Sequence, residues 1–211
     1  MSQKEGLFII ITGPTGVGKS SVAQALMRRN ADIHKAISMT TRPLREEEKD
    51  GVDYLFTSKQ SFEEMIDRGE FAEYSLQFNT DYYGIPRNQL EKMSREGKDA
   101  ILELDMPGAK KLKRNFPRAL CICILPPSLN AMEERLRAKY VDEELEKKQM
   151  RLTCDRMGDM MNFQYIVVND DVETCAKNID SIISAEHFRS IYHEKLLDGL
   201  QQQCDLYTSD K

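Results

Sequence analysis

Long apolar runs are missing from this 211-residue chain. The longest, at residues 7–11 and 120–125, fall far short of the roughly 20 residues that cross a bilayer, so no membrane partner is expected. The first of them leads straight into a glycine-rich turn, which argues against a secretory signal, and Met1-Ser2 lacks the glycine that myristoylation needs. Positive charge is not in excess either: 30 Lys and Arg against 35 Asp and Glu give a net charge of −5. That balance argues against a broadly basic nucleic-acid-binding surface, and a protein of this sign that handles anions must concentrate its cations locally. The five cysteines, Cys121, Cys123, Cys154, Cys175 and Cys204, are odd in number and scattered. They make no disulfide framework and fit a reducing cytoplasm, the expected location. Cys121 and Cys123 alternate within an apolar run and so share one strand face; without a second ligand pair they read as small buried core residues rather than a metal or redox site. The three histidines, His34, His187 and His193, lie outside every motif and read as surface residues. There is no internal repeat, and the length suits one well-filled core rather than two independent domains.

What the chain does contain is concentrated first at Gly13-Pro14-Thr15-Gly16-Val17-Gly18-Lys19-Ser20-Ser21, directly after the run at residues 7–11. A buried strand, a glycine-rich turn and a helix-compatible stretch at residues 20–29 form the context of a phosphate-binding loop. The three glycines let the backbone bend around a polyanion, and amide N–H groups with the helix N-terminus point at the phosphates. Lys19 reaches the outer phosphates and the Ser20 hydroxyl is a Mg²⁺ ligand. The segment implies a nucleoside triphosphate.

Further along, short apolar runs alternate with helical patterns. Core strands are expected at residues 7–11, 100–104, 120–125 and 165–168, and helices at 19–29, 108–115, 128–139 and 172 to about 200 with breaks. Runs apolar on both faces and separated by helices predict an α/β fold with a parallel sheet covered on both sides. Residues 36–97 depart from that alternation and read as a small α+β insertion. It holds strand-like pieces at 54–57 and 71–74, and a helix carrying Phe62, Met65 and Ile66 that stops at Gly69. Residues 135–156 are densely charged and fit either a solvated helical face or a lid over a phosphate site.

Inside the insertion, Ser38-Met39-Thr40-Thr41-Arg42-Pro43-Leu44-Arg45 is followed by Gly51-Val52-Asp53-Tyr54, Phe71-Ala72-Glu73-Tyr74 and Tyr82-Tyr83-Gly84. Two guanidiniums and tyrosine hydroxyls are suitable donors for a phosphate monoester. Taken in order, these motifs make residues 5–186 resemble a guanylate kinase. The resemblance implies a P-loop NTPase three-layer fold with its core at residues 5–34, 98–134 and 157–186. A GMP-binding insertion at 36–97 and a lid at 135–156 complete it, leaving a C-terminal helical tail at 187–211.

It implies further that Arg42, Arg45, Tyr54 and Tyr83 hold the GMP phosphate while Ser38 and Glu73 face the guanine. For Glu73 the chemistry also stands alone. An ionised carboxylate accepts from both guanine N1–H and the exocyclic amino group, whereas adenine would set a lone pair against it. Glu103-Leu104-Asp105 closes a core strand where the family commonly carries Asp-x-Asp. Asp105 matches on the guanine side, and Glu103, one methylene longer, joins Ser20 as the candidate metal set. Arg135 and Arg151 match the family's lid arginines, Lys139 stands where another is usual, and Asn169 matches the adenine-side contact. Pro107 and Ile85 are departures, the latter replacing a Thr or Ser hydroxyl.

The reaction implied is ATP + GMP = ADP + GDP with Mg²⁺, in purine nucleotide metabolism. Lys19, Arg42, Arg135 and Arg151 would neutralise the transferring phosphoryl group, and the acceptor phosphate needs no side-chain nucleophile. A kinase of the same fold with another or a relaxed phosphate acceptor, and a non-catalytic binding module, are the alternatives. ATP and GMP are the expected partners, with dGMP a further acceptor, and the sequence leaves monomer and homodimer open.

Overall fold

The computed structural model describes residues 5–77, 80–139 and 142–209. At its centre lies β1 (Phe8–Thr12), whose Ile9, Ile10 and Ile11 are all fully buried. A strand buried on both faces belongs in a parallel sheet. Here β7 (Asp99–Glu103) and β8 (Leu120–Leu125) flank β1, with β2 (Ile33–Lys35) and β9 (Tyr165–Val168) outermost, in the order β2-β7-β1-β8-β9. Every pairing in this sheet is parallel.

Alternation along the strands feeds two apolar layers. Ile9, Ile11, Leu120, Ile122 and Ile124 pack against α1 (Lys19–Arg29) and α7 (Val172–Glu186), which lie side by side. On the opposite face Ile10, Ala100, Leu102 and Cys121 meet Leu90 of α3 (Arg87–Arg95) and Ala109 and Leu112 of α4 (Met106–Asn115). Cys121 and Cys123 are both buried on that second side, as core residues, and burial pushes each thiol up to about 11.

The insertion contributes a second sheet, ordered β4-β3-β6-β5, from β3 (Met39–Thr40), β4 (Leu55–Phe56), β5 (Phe71–Gln77) and β6 (Asp81–Pro86). Helix α2 (Lys59–Asp67) seats Phe62 between the rings of Phe71 and Tyr82, at 4.2 and 5.1 Å. Ala72, Ile85 and Leu90 belong to the same apolar cluster as Ala100 and Leu102, so the base of the insertion shares a core with the central sheet. The charged segment forms α5 (Leu129–Lys139) and α6 (Glu143–Asp155), the latter running into a short 3-10 helix at Met157–Asn162. The long C-terminal helix expected from residue 172 is broken. α7 ends at Glu186, a 3-10 turn spans Ser190–Tyr192, and α8 (Glu194–Ser209) has no buried residue.

One expectation fails outright. His187 is not a surface residue: its side chain is 16% exposed, and its Nε2 lies 2.8 Å from Asp99 Oδ2. Asp99 Oδ1 accepts from the Leu7 N–H at 2.8 Å, so a single buried carboxylate joins the entry of β1, the start of β7 and the end of α7.

Candidate active site

The phosphate loop is held by shape. Gly18 is the N-cap of α1 at φ 89°, a left-handed conformation that suits glycine, and a Cβ there would fall 2.6 Å from Asn169 Nδ2. Gly13, at φ 140°, passes so close to the Ile124 carbonyl that a Cβ would sit 2.2 Å from it. Val17 is fully buried, and Asn169 Nδ2 donates to its carbonyl at 2.8 Å. The loop backbone is thus fixed from behind. Gly13, Pro14, Thr15, Lys19 and Ser20 line an open cleft of about 410 Å³, whereas Ser21 is exposed on the outer side of α1.

Lys19 folds back on its own loop, its Nζ donating to the Gly13 and Pro14 carbonyls at 3.0 and 2.9 Å. Burial lowers its pKa to about 8 and nearby Lys139 adds to the effect, while Glu103 and Asp105 oppose it. The ammonium is therefore desolvated and short of a strong anion, a state that a polyphosphate relieves. Ser20 Oγ donates to Glu103 Oε2 at 2.5 Å, and Lys35 Nζ lies 3.8 Å from the other carboxylate oxygen.

Next to the loop cleft is a second cavity of about 210 Å³. Ser38, Tyr54, Glu103, Leu104 and Asp105 line both, so the two spaces share a wall. Glu73, Ser75, Gln77 and Tyr83 line the second cavity alone. Glu73 is 6% exposed, and its Oε1 is buried with no hydrogen-bond partner among the described residues. Burial raises its pKa to about 7, with Lys111 pulling the other way and Asp105 adding to the rise. A buried carboxylate oxygen without a donor costs free energy that a ligand's N–H groups would recover. Asp105 Oδ1 is committed elsewhere, capping α4 by accepting from the Gly108 N–H at 2.8 Å.

The arginines fall into different places. Arg42 forms a fork-on-fork pair with Glu48, at 2.9 and 2.7 Å, and its Nε donates to Tyr83 Oη at 3.2 Å. Its guanidinium lies over the Tyr54 ring at 5.4 Å, and the Glu48 bond holds its pKa above the usual value. Arg42 thus stands behind the two tyrosines that wall the second cavity, and Arg45 is exposed beside it. Arg135 donates to the carbonyls of Asn169 and Asp170. Arg151 is not brought to the cleft: it is exposed on the far side of α6 among Asp142, Lys147, Lys148 and Asp155. Asn169 is 2% exposed, turned inward to the loop, and lines neither cavity.

A family model described as guanylate kinase matches residues 5–186. The chain belongs to the guanylate kinase family. Guanylate kinases of Carboxydothermus hydrogenoformans and Clostridioides difficile are 35% and 36% identical to it, over 92% and 95% of this chain and 97% and 100% of their own lengths. The crystal structure of guanylate kinase from Anaplasma phagocytophilum superimposes with a TM-score of 0.70 at 29% identity, with 89% of each chain covered.

Against the residues that the guanylate kinase motifs singled out, the structure adds Glu48, Ser75 and Gln77. Glu48 lies six positions after Arg42, too far apart for helix spacing, and only the turn between them closes the pair. Ser75 and Gln77 could have been found, because strand alternation places them on the face of Glu73. Ile85 pairs with Glu73 across β5 and β6; it borders the second cavity but is 1% exposed and packs with Ala36, Leu90 and Leu102.

Proposed function

We propose that ATP docks its phosphates in the loop cleft and GMP places its base against Glu73, so that the phosphates meet over the shared wall of the two cavities. The reaction is ATP + GMP giving ADP + GDP, the activity for which the chain's relatives are named. One observation carries the acceptor assignment: a buried carboxylate oxygen with no partner, in a cavity adjoining the phosphate loop. Guanine presents two N–H donors on one edge, and Ser38, Ser75 and Gln77 add polar groups around it.

In this reading Tyr54, Tyr83 and the Arg42–Arg45 segment hold the GMP phosphate, and Glu48 sets the Arg42 fork. Ser20 and Glu103 suit Mg²⁺, since one hydroxyl and one carboxylate leave the remaining positions to water and phosphate oxygens. Among the described residues no group of three or more His, Cys, Asp or Glu side chains could hold a metal ion. Mg²⁺ would supply charge neutralisation. Lys19 would leave its loop carbonyls for the outer phosphates, and Lys139, close enough to depress it, would follow. Asn169 supports the loop from behind. The GMP phosphate is itself the nucleophile, so water exclusion and alignment carry the rate. No helix among the described residues is long and apolar enough to cross a membrane, and five free cysteines suit a reducing compartment.

The test is ADP release measured with GMP, dGMP, IMP, AMP, CMP and UMP. GMP and dGMP should be used best and AMP at least about a thousandfold worse. Equal use of AMP and GMP would remove Glu73 as base reader.

A further inference from the structure

We propose that Lys111 and Asn115 of α4 are positioning residues for the guanine-reading carboxylate: they clamp the β5 backbone on either side of Glu73 and so fix where its unpartnered oxygen points. This rests on the acceptor reading above. β5 is the terminal strand of its sheet, so among the described residues one edge of its backbone faces no other strand. Two donors from α4 fill that edge. Lys111 Nζ donates to the Tyr74 carbonyl at 3.1 Å, and Asn115 Nδ2 donates to the Ala72 carbonyl at 2.8 Å. Ala72 and Tyr74 are the residues immediately before and after Glu73.

The match is one of pitch. Four residues of helix rise about 6 Å and two residues of strand advance about 6.6–6.8 Å, so side chains one turn apart meet alternate carbonyls of a strand alongside. The clamp sits where the ladder on the other edge is irregular. Pairing with β6 shifts register between Phe71 and Glu73, a feature that re-aims side chains, and α4 supplies the constraint that the ladder lacks there. Gly108 lies on the same helix face, and a Cβ at this position would fall 3.3 Å from Glu73 Oε1. The carboxylate therefore rests on the first turn of α4, whose polarity favours its ionised form.

Lys111 adds charge to this geometry. Its ammonium lies over the Tyr74 ring at 5.9 Å and favours the Glu73 carboxylate, whereas Asp105 at the helix N-cap opposes it. Glu103, Tyr54 and Tyr83 face the same cavity. On the β6 side Glu73 is paired with Ile85, and the Arg87 guanidinium of α3 is turned to the Phe71 carbonyl and the Phe116 ring. Asn115 carries no charge, so the two clamp residues separate placement from electrostatics.

The experiment measures GMP and ATP affinity by calorimetry in Lys111→Met, Lys111→Arg and Asn115→Ala, each in the wild-type and the Glu73→Gln background. Carbon NMR follows the Glu73 carboxyl titration in the ligand-free proteins. Lys111→Met and Asn115→Ala should each weaken GMP about three- to tenfold, with ATP affinity within about twofold of the wild type. Lys111→Met should also move the Glu73 titration upward, and Lys111→Arg should restore both properties. In the Glu73→Gln background the same substitutions should change GMP affinity less than about twofold, because the clamp acts through the carboxylate. GMP affinity within about twofold of the wild type in both Lys111→Met and Asn115→Ala would overturn the inference, as would equal losses in the two backgrounds. Lys111 is exposed, so its replacement keeps the test decisive even where Asn115→Ala folds poorly. Glu73→Gln that by itself leaves GMP affinity unchanged would instead contradict the base-reading assignment. The Glu73 titration in Lys111→Met then decides the clamp, and an unmoved titration overturns it.

Discussion

Glu73 and Lys19 are held in opposite electrostatic debt. Burial raises the carboxyl to about 7 and lowers the ammonium to about 8. For ligand-free Glu73 the folded-state value exceeds the usual 4.5, so its ionisation costs stability as pH rises from about 4.5 to 7. Guanine donors favour the carboxylate, and GMP binding near pH 6.5 should release up to about one proton. Phosphates favour the ammonium, so ATP binding near pH 8.5 should take up a fraction of one. Calorimetry in buffers of different ionisation enthalpy checks both signs. Glu73→Gln should remove the GMP-linked release and lower kcat/KM for GMP more than about tenfold, since charged hydrogen bonds contribute roughly 1.5–3 kcal/mol. Lys19→Ala should lower kcat at least about a hundredfold with the fold intact, as judged by circular dichroism. Ile85→Thr sets an unpaired hydroxyl against Leu90 and Leu102 at a cost of roughly 1–3 kcal/mol. A melting temperature lower by about 2–10 °C with no gain in GMP affinity is expected. At this scale Glu73 was legible because it stood between an arginine pair and Tyr83. The burial of His187 was not, since its partner Asp99 is distant in sequence and Asp is a common surface residue.

At the scale of elements, pattern strength decided what could be read. β8 and β9 match the expected ranges, 120–125 and 165–168, because their apolar runs end abruptly at proline and polar residues. β2 was missed: only three residues long, it buries Ile33 alone, too little for a periodicity to appear. α1 was legible in full from its glycine loop and paired arginines at the end. The face of α6 that meets the cleft was hidden, because charge surrounds the helix and Gln149 and Thr153 are no more apolar than their neighbours. Helix α7 carries a separate prediction. Asp171 caps it by accepting from the Thr174 N–H at 2.8 Å, and α7 packs on α1 behind the phosphate loop. Asp171→Ala should cost about 1 kcal/mol and lower the melting temperature by roughly 2–4 °C.

For the whole molecule, the insertion at residues 36–97 is less separate than its sequence suggests. Ala72, Ile85 and Leu90 are part of the sheet's own core, so this base has little freedom to swing. Closure over two nucleotides should therefore involve its outer part, β3, β4 and α2, together with α5 and α6. Small-angle scattering with a compound linking the two nucleotides should show compaction. Hydrogen exchange should slow across residues 39–67 and 142–156 while α3 stays unchanged; slowing that included α3 to the same degree would place the hinge at the insertion's edges instead.

The position of β1 has a consequence for how the chain is made. It is synthesised before both of its neighbours, yet it lies at the centre of the parallel sheet between β7 and β8. The carboxylate that receives the Leu7 N–H is 92 residues further along the chain. At roughly 5–20 residues per second, the ribosome keeps the strand Phe8–Thr12 waiting about 5–18 seconds for its first neighbour on β7, and longer for β8. During that interval three adjacent isoleucines have no sheet to join, so the nascent chain must rely on holding factors or on speed. A translation pause placed between β1 and β7 should lower the yield of folded protein more than the same pause placed after β9.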